Sequence, residues 1–116
     1  MPIGPRQVSS LRRVTIPTRT SVRVGVRPGS WVVVSASRRD RGVLVIRSTD
    51  EPIPGYGLRD PRRARKVSDS GQLTLPASLL DQAGIAVGGW VAFTTTGVDL
   101  RVFAAERVRG PRTGRR

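Results

Sequence analysis

Two stretches of the chain show the same order of hydrophobic and polar positions. In the later one, Lys66-Val67-Ser68 and Leu73-Thr74-Leu75 alternate, as half-buried strands do. Between them, Asp69-Ser70-Gly71-Gln72 carries turn chemistry: Asp bonds nearby backbone, and Gly takes a positive φ without a Cβ clash. The pair predicts a hairpin. Pro76 ends the second strand because it lacks an N–H, and it suits the first turn of a helix. Residues 77–83 are mostly good helix formers, Gly84 predicts a left-handed cap, and Ile85 should pack back behind it. The turn Val87-Gly88-Gly89 then leads into strands near 90–95 and 99–103.

Sliding the chain against itself by 59 positions brings a second copy into register. Val8 meets Val67, Ser9 meets Ser68, Pro17 meets Pro76, Gly25 meets Gly84, Gly29 meets Gly88 and Trp31 meets Trp90. Both tryptophans coincide, so the match is read as an internal repeat. The first copy differs at its turn, where Ser10 and Arg12 stand opposite Asp69 and Gly71. A non-glycine residue in a left-handed conformation costs about 1–2 kcal/mol, so this loop is expected to differ in shape. Residues 17–24 predict a helix weakened by β-branched residues. Arg27-Pro28-Gly29-Ser30 has the central residues of a type II turn. The runs Trp31 to Val34 and Val43 to Ile46 are continuous rather than alternating, which predicts strands covered on both faces. Residues 1–5 are expected to form a frayed arm.

The order hairpin, Leu-Pro, short helix, Gly-Ile, Gly turn, apolar strand pair resembles the AbrB/MazE/SpoVT swapped-hairpin DNA-binding family. Val67, Asp69, Gly71, Leu73, Leu75, Pro76, Leu79, Leu80, Gly84, Ile85, Gly88 and Val91 carry the resemblance. The tandem copies are similar to the duplicated arrangement of the MraZ proteins. The resemblance implies a mostly β fold with short helices, in which two swapped-hairpin halves interlock into a small barrel-like pseudo-dimer. It also implies a sequence-specific, double-stranded DNA-binding regulator of transcription, acting as a repressor. A MazE-like antitoxin with a toxin partner is the first alternative, although the tail here is basic where such tails are acidic. A non-specific nucleoid or RNA-binding protein is the second.

The expected organisation is a first copy over 6–47, a linker over 48–64, a second copy over 65–107 and a disordered basic tail over 108–116. Linker residues include Pro52, Pro54, Gly55, Gly57 and Pro61. Its 17 residues reach about 56 Å when extended, so the copies can pair within one chain or across a homodimer. Formal charge is +13, and 20 of the 21 cations are arginine. Residues 6–47 carry +9 while residues 65–107 balance to zero. Such an excess points to a polyanion as partner. With no cysteine and no histidine, disulfides, imidazole bases and most zinc sites are excluded. No cofactor, metal or enzymatic activity is expected. Neither a membrane-length apolar run nor a secretory signal is seen, so a cytoplasmic, nucleoid-associated protein is expected.

Arg6, Arg12 and Arg13 lie on or beside the first hairpin loop, and the resemblance implies that basic residues there enter the major groove. Arg65, Lys66 and Gln72 are the matching group of the second copy. Gln reads adenine bidentately. Arg19 and Arg23, four apart in the first helix segment, are candidate phosphate contacts. The plainer reading of these cations is a charged, solvated tip. Trp31 and Trp90 each follow a Gly turn, which favours a core or interface role over base stacking.

Overall fold

A computed structural model describes residues 3–50, 57 and 60–105. The strands are β1 (Ile3–Gln7), β2 (Arg13–Thr15), β3 (Trp31–Ala36), β4 (Val43–Thr49), β5 (Arg65–Lys66), β6 (Gln72–Thr74), β7 (Trp90–Thr95) and β8 (Leu100–Ala104). Two short helices, α1 (Thr18–Ser21) and α2 (Ala77–Ala83), follow β2 and β6. Six strands form one sheet in the order β1-β7-β8-β4-β3-β5, curled into a half-barrel, and β2 pairs separately with β6. Every pairing is antiparallel.

That order reads the same from either end once the repeat is applied. β1 of the first copy lies on β7 of the second, and β5 of the second lies on β3 of the first. Backbone bonds repeat with the strands. The Val8 N–H reaches the Gly89 carbonyl at 2.9 Å, as Val67 reaches Ser30 at 2.9 Å. The Gly88 N–H reaches the Val8 carbonyl at 2.7 Å, as Gly29 reaches Val67 at 2.8 Å. The halves therefore interlock within one chain as a barrel-like pseudo-dimer. The predicted hairpins open accordingly. Each keeps its turn, in which Ser9 bonds Arg13 and Ser68 bonds Gln72 (both 2.9 Å), and then sends its two arms to the other copy. The 59-residue register holds until the loop after β3. There the first copy is three residues longer: Ser37 N–H bonds the Val43 carbonyl, whereas Thr96 N–H bonds the Asp99 carbonyl.

One core draws matched residues from both copies. Val8 and Val67, Val14 and Leu73, Ile16 and Leu75, Val32 and Val91, and Val34 and Phe93 are all buried together. Gly84 caps α2 at φ 69°, its N–H meeting the Leu80 and Asp81 carbonyls, and Ile85 is buried behind it as expected. The Arg27–Ser30 turn also forms, with Gly29 at φ 86°.

Several expectations are corrected. Residues 3–5 belong to β1, with Ile3 opposite Phe93, rather than to a frayed arm. The first helix is a single α turn continued as a 3-10 turn over Val22–Val24. Buried Ser21 bonds the Val26 carbonyl there at 2.6 Å, where Leu80 fills the matching position. β4 runs through Ser48 and Thr49, so the linker begins later than expected. Trp90 is 50% exposed and Trp31 half-buried, because each points outward while the following valine points inward. Val33 and Val45 are only half-buried, so the outer face of those strands is not fully covered. The expected tail, 108–116, lies outside the described residues.

The first turn keeps the shape of the second. Arg12 takes φ 61°, the one positive φ outside glycine among the described residues, and Gly71 takes φ 79°. Cross-copy bonding enforces this: the Leu75 N–H meets the Arg12 carbonyl at 2.8 Å, as Ile16 meets Gly71 at 2.8 Å. Serine, rather than the expected Asp69, organises both turns. Ser9 Oγ accepts from the Arg13 N–H at 3.1 Å and Ser68 Oγ from the Gln72 N–H at 3.0 Å.

Asp99, just before β8, has a side chain only 3% exposed. Its carboxylate accepts from Thr96 Oγ1 at 2.6 Å, Arg47 Nη2 at 3.3 Å and Arg101 Nε at 3.4 Å. Burial pushes its pKa up, but the bonds from Thr96, Arg47 and Arg101 outweigh burial, and the net shift is downward from 3.8. A depressed folded pKa stabilises the fold above the ordinary value, and that contribution is lost as pH falls through the folded one.

Two stability predictions follow from these contacts. Urea unfolding at pH 7 should show Asp99→Asn losing about 1.5–3 kcal/mol, and the gap to the parent should close as the titration moves below pH 3.8. Arg12→Gly relieves a conformation costing about 1–2 kcal/mol and adds about 0.5–1 kcal/mol of unfolded-chain entropy. Denaturation should therefore find it more stable than the parent, by up to about 1.5 kcal/mol.

Candidate nucleic-acid interface

The ribbon of β2 and β6 sets Arg13 opposite Thr74, Val14 opposite Leu73 and Thr15 opposite Gln72. Side chains alternate across a strand, so the ribbon has two distinct faces. Val14 and Leu73 enter the core, and Arg13, Thr15, Gln72 and Thr74 share the outer face. A two-stranded ribbon fits the major groove of DNA. The outward groups are a guanidinium fork, a carboxamide and two hydroxyls. Those groups pair with guanine, with adenine and with several base edges, respectively.

The ribbon continues into the two edges of the curled sheet. Its link to β1 runs through the Ser9–Arg13 turn and its link to β5 through the Ser68–Gln72 turn. Arg6 is exposed on β1 opposite Val91, and Lys66 is exposed on β5 opposite Trp31. These two cations stand on strands at opposite edges of the sheet, one beside each arm of the ribbon. Arg19 is exposed on α1 and Arg23 on the 3-10 turn beyond it, so they do not share one α-helical face. α2 presents exposed Asp81 and no cation.

Arg12 and Arg65 come from different copies, and the charge of Arg12 acts on Arg65. Both are half-buried, and the Nε of each is buried with no acceptor among the described residues. Burial, followed by the charges of Arg63 and Arg12, pushes the Arg65 pKa below its ordinary value. Arginine nevertheless remains a cation at neutral pH.

Thr15, Thr74 and Arg63 were not singled out from sequence. The alternation of each short strand already carries the two threonines outward, but only the cross-copy register sets them beside Arg13 and Gln72. A second basic surface was also missed. Arg38 and Arg39, in the longer loop after β3, line a cleft with Arg47, Arg101, Val33 and Val45 on the outer face of the large sheet.

No helix of the described residues is long and apolar enough to cross a membrane. Compared with family models, curated proteins and solved structures, the chain finds no match.

Proposed function

We propose that this chain binds double-stranded DNA with sequence preference and regulates transcription, acting as a repressor at the sites it occupies. The observation that carries the reading is the outer face of the β2–β6 ribbon, where Arg13, Gln72, Thr15 and Thr74 stand together on a narrow antiparallel pair. Base-reading side chains on an element of groove width supply specificity, and surrounding arginines supply the phosphate attraction that brings the ribbon to the duplex. The first copy holds +9 of the chain's net +13, over residues 6–47. The resemblance to the swapped-hairpin DNA-binding family supports the same surface.

Selection of bound fragments from random duplexes, followed by titration at several salt concentrations on selected and scrambled DNA, tests the reading. Arg13→Ala should cost about 1–3 kcal/mol on the selected site and relax preference at one base pair. Arg19→Ala should instead weaken binding evenly on both duplexes and reduce the salt slope by about one. Equal affinity for every duplex would replace this reading with a non-specific nucleic-acid binder.

A further inference from the structure

We propose that Arg12 and Arg65 form a phosphate-binding site at one end of the ribbon, and that the matching end of the molecule lacks it. The identity of the phosphate as a nucleic-acid backbone group rests on the duplex-binding reading above; the site itself stands on geometry.

The repeat supplies an internal control. Applied to Arg12 and Arg65, it gives Gly71 and Arg6. At that second end the turn residue has no side chain and Arg6 is exposed. At the first end a guanidinium side chain stands at the turn position, and its charge acts on a second one, that of Arg65. Both Nε–H donors are buried there without an acceptor, whereas Arg6 shows no such atom. Neither Arg12 nor Arg65 makes an ion pair among the described residues; Asp40 pairs instead with Arg101, Asp60 with Arg62, and Asp99 with Arg47 and Arg101.

Two unanswered donors and two like charges acting on one another are unfavourable in the free protein. Both side chains are only half-buried, so a turn outward frees each Nε–H, and the Nε–H and an Nη–H of each guanidinium then form a fork that takes two oxygens of a tetrahedral oxyanion. Arg63 adds a third positive charge close by, as its effect on Arg65 shows. The backbone points the same way. Arg12 is held at φ 61° where its twin is a glycine, and a strained residue held by surrounding bonds is a mark of a functional position.

The test uses the full chain, with inorganic phosphate and the selected duplex as probes at low ionic strength. Arginine Nε–H resonances and isothermal calorimetry are the readouts. Phosphate should shift the Arg12 and Arg65 signals saturably and leave the Arg6 signal unmoved. Arg12→Gly, which removes strain and should melt above the parent, should lose at least tenfold in phosphate affinity. Arg65→Lys keeps the charge but not the fork and should also weaken binding, while Arg38→Ala, the same loss of charge elsewhere, should not. On the duplex, Arg12→Gly should weaken binding equally on selected and scrambled sequences and leave the preference between them intact. Phosphate binding with an unchanged duplex titration would support the site and assign it to free phosphate. Saturable phosphate binding by a chain that holds no duplex would keep the site and reject the DNA reading. If neither probe moves the Arg12 and Arg65 signals, or if Arg38→Ala weakens phosphate as much as Arg12→Gly does, the site is refuted, and a sequence preference seen on duplexes would stand without it.

Discussion

The exchange of β1 and β5 between the copies is the constraint on which the structure depends. Each enters the other half's Gly turn, with Val8 bonded to both Gly88 and Gly89 and Val67 bonded to both Gly29 and Ser30. Without the exchange, β7 and β3 would each expose an unpaired edge, and an exposed edge is a template for association. Losing the exchange would also strip Val8 and Val67 from the core they fill with residues of the opposite copy. A half of about 40 residues is below the size at which a single core usually holds by itself. The cross-copy pairs supply the burial that neither half has alone.

The same exchange fixes the chemistry of the surface. Because β2 pairs with β6, Arg13 and Gln72 share one face although 59 positions separate them. The turns of the two copies exchange in the same way, and the charge of Arg12 acts on Arg65, whereas the repeat sets Arg6 against Gly71, which has no side chain. The backbone obeys the pseudo-twofold closely enough that Arg12 accepts a left-handed conformation rather than break it. Side chains do not obey it. The frame is symmetric, and the charge laid on it is not.

Much of this was legible in the sequence because the repeat is gapless across its most informative stretch. Trp31 and Trp90, Gly25 and Gly84, and Pro17 and Pro76 fix one offset, and the turn and cap residues at that offset carry local rules that hold whatever the tertiary context. Less legible were features that depend on partners distant in sequence. Alternation in Val67 to Leu75 announces two strands joined by a turn, but does not say whether the arms pair with each other. The outward tryptophans escaped notice because their continuous apolar runs hide which residue starts the inward series. The loop after β3 broke the offset by three residues in a region whose glycines, Gly42 and Gly97, do not fall at one offset and so do not mark the register. Arg12 and Arg65 are individually two arginines among 20, and only the fold sets the charge of one against the other.

Carrying both copies in one chain has a physical consequence that a homodimer of this fold would not share. In a symmetric dimer every substitution appears at both ends, so an arginine in the left-handed turn position would strain both turns and crowd both edges with like charge. A tandem chain confines that cost to one end. It permits Arg12 opposite Gly71, Arg13 opposite Gln72 in the repeat, and a basic helix segment opposite one whose single charge is Asp81. Each half remains bound to the other by backbone bonds that do not depend on these side chains, so the surface can diverge while the fold stays paired. On the DNA-binding reading, such a face has no reason to require a palindrome: one side of the ribbon offers a guanidinium fork and the other a carboxamide, and these two groups read different bases. Asymmetry in the target would then mirror asymmetry in the side chains, imposed on a backbone that still has two matching halves.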